Sequence, residues 1–134
     1  MRAGGLLQIG ADFVIERKRQ LFARRNDVAA ALELAHGLGD DRVLAERVHV
    51  TVTTHAPHLA PRTWYGMPAY ADADGKVVIF FQDSGKFGYR YSTLGFQEAA
   101  RLDDGDLWPV AYALRKWSPV VQKKVAALVK AAVS

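Results

Sequence analysis

The sequence contains no cysteine. That absence removes disulfides, thiolate zinc sites, iron–sulfur ligation and thiol nucleophiles together. It fits a reducing cytosol, where folds do not rely on covalent cross-links. Long apolar runs are missing as well. No stretch approaches the ~20 residues that a membrane-spanning helix requires. The opening segment, MRAGGLLQIGADFVIERKRQ, is interrupted by Asp12 and Glu16 and lacks a small-residue cleavage site, which argues against a secretory signal. There is no Ser-centred elbow, no phosphate loop and no dinucleotide fingerprint. Without a nucleophile beside an identifiable base, the chain reads as a non-catalytic protein.

What is present describes a globular domain. The 134 residues are 50% hydrophobic and 24% charged, enough to bury one core and too apolar for a disordered chain. Charge is uneven. Residues 1–25 carry six basic and two acidic side chains, which accounts for the whole net charge of +4. The balanced remainder, residues 26–134, reads as a single domain. A basic arm of this kind contacts nucleic acid or acidic partners, or is simply solvated.

Asn26 is a good N-cap for the helical run DVAAALELAHG, and Gly37 suits its C-terminal stop. Asp40 or Asp41 caps a second segment, RVLAERVHVTVTTHAP. Leu44, Val48 and Val52 in it follow helical spacing, while Val48, Val50 and Val52 also alternate as in a strand. From Pro61 the chain reads as antiparallel hairpins: two short extended pieces around a Gly-Met-Pro break, the turn DADG at 72–75, and the apolar strand KVVIFFQ at 76–82. The turn DSGK and the strand KFGYRYS at 86–92 follow. Residues 93–101 suggest a short helix, and residues 110–114 a last strand. Ser118 and Pro119 then open the clearest helix of the chain. The expected fold is α+β: an antiparallel sheet of four to five strands, with N-terminal helices and a C-terminal helix packed on one face.

Several residue groups bear on function. In TWYGMPAY, residues 63–70, the aromatics either fill a core around a bend or line a pocket. As a pocket, Tyr65, Gly66, Met67, Pro68 and Tyr70 would form the wall, with Lys86 or Arg90 as anion anchor. GKFGYRY, residues 85–91, resembles the aromatic strands of RNA-binding modules. The nucleic-acid reading of Phe87, Tyr89 and Tyr91 holds if that face points to solvent and fails if it points to the helices. Of His36, His49, His55 and His58, the last two lie close in sequence, but no third ligand for zinc accompanies them. The carboxylates of DDGD, 103–106, lack calcium-loop spacing.

The stretch APRTWYGMPAYADADGKVVIFFQDSGKFGYRYSTLGF and the later DDGDLWPVAYAL resemble the bacterial YdhG-like proteins, a domain family of unknown function grouped with the frataxin-like fold. The shared signature is Tyr65-Gly66-Met67-Pro68-Ala69-Tyr70, then Gly75-Lys76 and an apolar strand. The resemblance covers roughly residues 38–134; residues 1–25 depart from it. It implies a helix over RVLAERVHVTVTTHAP. For one branch it implies an iron-chaperone role, with oxygen ligands that here would be Glu33, Asp40, Asp41 and Glu46. The expectation is therefore a small cytosolic binding or accessory protein, monomer or homodimer. Its ligand is a metal ion such as iron, or a small acidic molecule. The alternative is a nucleic-acid-associated module using the basic arm and the aromatic segment 86–92.

Overall fold

The computed structural model describes residues 39–134; the basic arm, the helix expected after Asn26, Glu33 and His36 lie outside the described residues, as does the side chain of Asp40. The described chain begins with helix α1, Gly39–His55. Its two possible periods are resolved by burial. Leu44, Val48 and Val52 are buried, whereas Val50, which a strand would have placed beside them, is exposed. The threonines that pull toward extended structure are accommodated inside the helix. Thr51 Oγ1 donates to the Arg47 carbonyl at 2.8 Å, and Thr53 Oγ1 donates to the His49 carbonyl at 2.9 Å.

Five antiparallel strands follow: β1 Ala60–Trp64, β2 Met67–Ala71, β3 Val77–Gln82, β4 Ser92–Phe96 and β5 Ala111–Leu114. Their spatial order equals their chain order, an open meander with β1 and β5 at the edges. Helix α2, Pro119–Ala132, closes the chain and packs against α1. The α+β architecture with a five-stranded antiparallel sheet and helices at both ends agrees with the expectation. Ser118 caps α2 by accepting from the Val121 N–H at 3.2 Å, and Pro119 takes the first turn, where its missing donor costs nothing. At the other end of α2 the Ala132 carbonyl accepts from the Arg101 N–H at 2.9 Å.

Register sorts the side chains. Tyr70 faces Ile79 and Ile79 faces Phe96; Phe81 faces Leu94 and Leu94 faces Tyr112. These residues form the core with Val48 and Val52 of α1 and Val125 and Val129 of α2. One polar link crosses that layer: His49 Nδ1 lies 2.9 Å from the Tyr70 hydroxyl. On the opposite face the row Arg62, Ala69, Phe80, Gly95, Ala111 runs across all five strands. Its small members make room for the large one. The Phe80 ring occupies the space where Gly95 has no side chain, and it meets Trp64 with centroids 5.4 Å apart.

Three expectations are corrected. The break in TWYGMPAY falls at Tyr65–Gly66, one residue before the expected Gly66-Met67-Pro68. Both turn residues have positive φ (51° and 76°), and Trp64 pairs directly with Met67, a two-residue hairpin loop of the type that matches strand twist. Met67 and Pro68 are buried inside β2. Pro68 is tolerated there because the β2–β3 ladder starts one residue later, at Ala69 and Phe80. Second, residues 86–91 form no strand. A single 3₁₀ turn, Ser84–Lys86, leads into a loop whose Gly88 adopts φ 68°, which interrupts extended structure. Third, the strand begins at Ser92 and occupies residues assigned to a short helix; Leu94 and Phe96 bury on the core side and Gly95 sits under Phe80.

Two outcomes are expected. Gly95→Ala places a methyl group inside the Phe80 ring, so it should cost about 1–3 kcal/mol in urea unfolding, and Phe80→Leu in the same chain should recover part of it. Additive losses in that double variant would refute the contact. Burial holds His49 below its ordinary pKa of 6.5 and raises the Tyr70 phenol. The unfolded chain then binds more protons than the folded one just below pH 6.5, so stability falls as the pH drops through that range. His49→Gln should flatten this segment of the stability–pH curve; an unchanged slope would count against it.

Candidate functional site

The residues named for function separate into two groups. Met67, Pro68 and Tyr70 belong to the buried sheet, with Tyr70 bonded to His49. Tyr65 and Lys86 meet at one end of the sheet, where the β1–β2 hairpin tip lies beside the loop between β3 and β4 that carries Tyr89 and Arg90. Gly66 supplies the second turn position of that tip. Lys86 Nζ donates to the Tyr65 carbonyl at 2.8 Å, which joins tip and loop. Around this contact three rings stand in solvent: Tyr65 is 77% exposed, Phe87 62% and Tyr89 51%. Phe87 and Tyr89 have centroids 6.2 Å apart, and Tyr89 meets Tyr91 edge-on at 5.8 Å. Lys86 Nζ lies 6.0 Å from the Phe87 ring, and the Arg90 guanidinium lies 5.4 Å from the Tyr91 ring. Large rings seldom stand exposed together without a partner to meet them.

The loop is held from below. Asp41, in the first turn of α1, is 4% exposed and does not act as the expected cap. Its carboxylate accepts from Ser84 Oγ at 2.8 Å, from Ser92 Oγ at 2.8 Å and from the Gly85 N–H at 3.3 Å. Ser92 Oγ in turn accepts from the Ser84 N–H at 3.1 Å, and the Tyr89 N–H donates to the Ser84 carbonyl at 2.8 Å. Both ends of the ring-bearing loop are thereby fixed to a helix on the far side of the core. Asp83, beside this network, has its carboxyl pushed above the ordinary range, first by burial and then by the Asp41 charge.

Of the expected metal ligands, Asp41 and Glu46 have described side chains, and both already have partners. Asp41 is surrounded by hydrogen-bond donors, and Glu46 is exposed and paired with Arg42 at 3.3 Å. Among the described residues no three His, Asp or Glu side chains gather as metal ligands. His55 ends α1 and His58 is exposed in the following turn. An open polar cleft of about 640 Å³ lies between Asp72, Asp74, Lys76, Glu98, Arg101 and Asp103. One of its carboxylates is already committed to the local turn, with Asp72 Oδ1 accepting from the Asp74 and Lys76 N–H groups.

Reasoning from sequence missed Asp41 as an anchor. Its partners lie 43 to 51 residues away, so no local pattern marks them. It also mistook the rings for a strand, because Phe87, Tyr89 and Tyr91 alternate. The glycine at 88, inside the run, was the available signal, and it adopts a positive φ. No family model, curated protein or solved structure matches this chain, so the resemblance to YdhG-like proteins stands on its motifs.

Asp41→Ala would leave two hydroxyls and one N–H without their acceptor. It should cost about 3 kcal/mol in urea unfolding and raise hydrogen exchange at the Gly85 and Tyr89 amides. A loss below about 1 kcal/mol with unchanged exchange would mean that the loop is held by something else.

Proposed function

We propose that the protein is a non-catalytic binding module whose ligand is single-stranded nucleic acid, taken on the loop 83–91 and Tyr65. The observation that carries this reading is the exposure of Tyr65, Phe87 and Tyr89 around two cations, Lys86 and Arg90. Sequence-tolerant single-strand binders combine these two elements. Bases stack on aromatic faces, each worth about 1–3 kcal/mol, and basic groups follow the phosphates. The Asp41 network supports the same reading, because a preorganised loop loses little entropy on binding. The basic residues of segment 1–25 add charge of the right sign.

The iron-chaperone reading draws no comparable support, since Asp41 and Glu46 already have partners. The frataxin-like assignment is supported by the order helix, five antiparallel strands, helix. No described helix is long and apolar enough to cross a membrane. A cytosolic location is part of the proposal and accords with the cysteine-free composition.

The test is fluorescence anisotropy with labelled DNA and RNA single strands of about 15 nucleotides, between about 50 and 200 mM salt. Binding should weaken as salt rises. Phe87→Ala and Tyr89→Ala should each lower affinity by about fivefold to a hundredfold without lowering the melting temperature, because both rings are exposed. Absence of binding at the lowest salt, or full affinity in both variants, would overturn the proposal.

A further inference from the structure

Strand β5 is an edge, paired with β4 alone among the described residues. The Phe96 N–H donates to the Val110 carbonyl at 2.8 Å, and the same register pairs Leu94 with Tyr112 and Ser92 with Leu114. Antiparallel ladders alternate, so the intervening residues, Ala111 and Ala113, direct their N–H and C=O groups away from β4. Both alanines are exposed. Natural edges are usually blocked by charge, proline or a bulge within the strand. Residues 111–114, Ala-Tyr-Ala-Leu, contain no charge and no proline.

The charges lie on either side and differ in sign. Asp103, Asp104 and Asp106 precede the strand; Arg115 and Lys116 follow it. A second strand of the same sequence running antiparallel would bring each acidic turn to the same end of the pair as the other copy's Arg115 and Lys116. A parallel copy would set like charge against like. The apolar surroundings fit the same partner. Leu107 is 91% exposed, Val110 and Val120 are also exposed, and an apolar groove of about 190 Å³ beside β5 is lined by Tyr112, Leu114, Val121 and Leu128.

We propose that β5 is a self-association edge, pairing antiparallel with β5 of a second copy about a two-fold axis at Tyr112. Ala111 of each chain faces Ala113 of the other, and the outward backbone groups of both are satisfied. Segment 106–108 of one copy then runs along segment 116–118 of its partner. The two sheets become one continuous sheet. The two ring-bearing loops lie at opposite ends of it, so each copy keeps its own ligand surface. The proposal does not depend on what those loops bind. The contact is short, which makes the dimer weak and concentration-dependent.

Sedimentation equilibrium of the full chain, from micromolar to several hundred micromolar, tests it. The expected result is a monomer–dimer equilibrium. Ala113→Pro removes an outward N–H and should give a folded monomer at every concentration, with folding checked by circular dichroism. Arg115→Glu with Lys116→Glu should also give monomer, as should Asp103→Lys with Asp104→Lys and Asp106→Lys. Mixing these two charge variants should restore a heterodimer, because each then offers the sign the other lacks. A wild-type chain that stays monomeric throughout would overturn the proposal. So would a dimer that survives Ala113→Pro, or a mixture that fails to associate.

Discussion

The carboxylate of Asp41 sits in the first turn of α1, almost wholly out of water, and takes hydrogen bonds from two serines and a backbone amide of another part of the chain. A buried charge without donors is strongly destabilising, so the network has to form whenever the helix docks. Docking of α1 on the sheet and closure of the β3–β4 loop are therefore one event. The same bonds fix where β4 starts, since Ser92 is both the first residue of that strand and a donor to Asp41. The exposed rings inherit their positions from this arrangement. Lys86 then carries it one step further, to the hairpin tip at Tyr65.

The two faces of the sheet solve different packing problems. Toward the helices, bulky residues interdigitate around Tyr70, Ile79 and Phe81, and the polar bridge from Tyr70 to His49 is made between neutral groups. Away from them, the Phe80 ring lies over Gly95 and meets Trp64. The second device is cheap in chain length but exacting in register. A one-residue slip of β4 would bring a side chain under the Phe80 ring.

Much of the fold was legible in local patterns. The Ser118-Pro119 start of α2, the turn at 72–75 and the apolar run of β3 each follow from short-range chemistry, and the structure places them as read. The choice of helix for α1 needed more than periodicity, because Leu44, Val48 and Val52 satisfy two templates; exposure of Val50 decides it. The errors cluster between Asp83 and Arg101. There the chain's course is set by Asp41 and by the Phe80 ring, both distant in sequence. The site was partly visible. Tyr65, Lys86, Tyr89 and Arg90 were named from composition and resemblance, but their neighbours in the motif, Met67, Pro68 and Tyr70, proved to be interior. Nothing in a linear motif distinguishes a ring that points into a sheet from one displayed on its turn.

Tyr65 occupies the left-handed region, φ 51°, where its Cβ is crowded and where asparagine or glycine is the usual occupant of such a turn. Its ring stands mostly in solvent, edge-on to Trp64 with centroids 5.0 Å apart. Stability and surface chemistry therefore pull in opposite directions at this one position. Directed evolution for heat resistance alone would tend to discard the tyrosine, because relieving the backbone costs the interior nothing. The hairpin tip is thus a place where optimising the scaffold would erase what the scaffold displays.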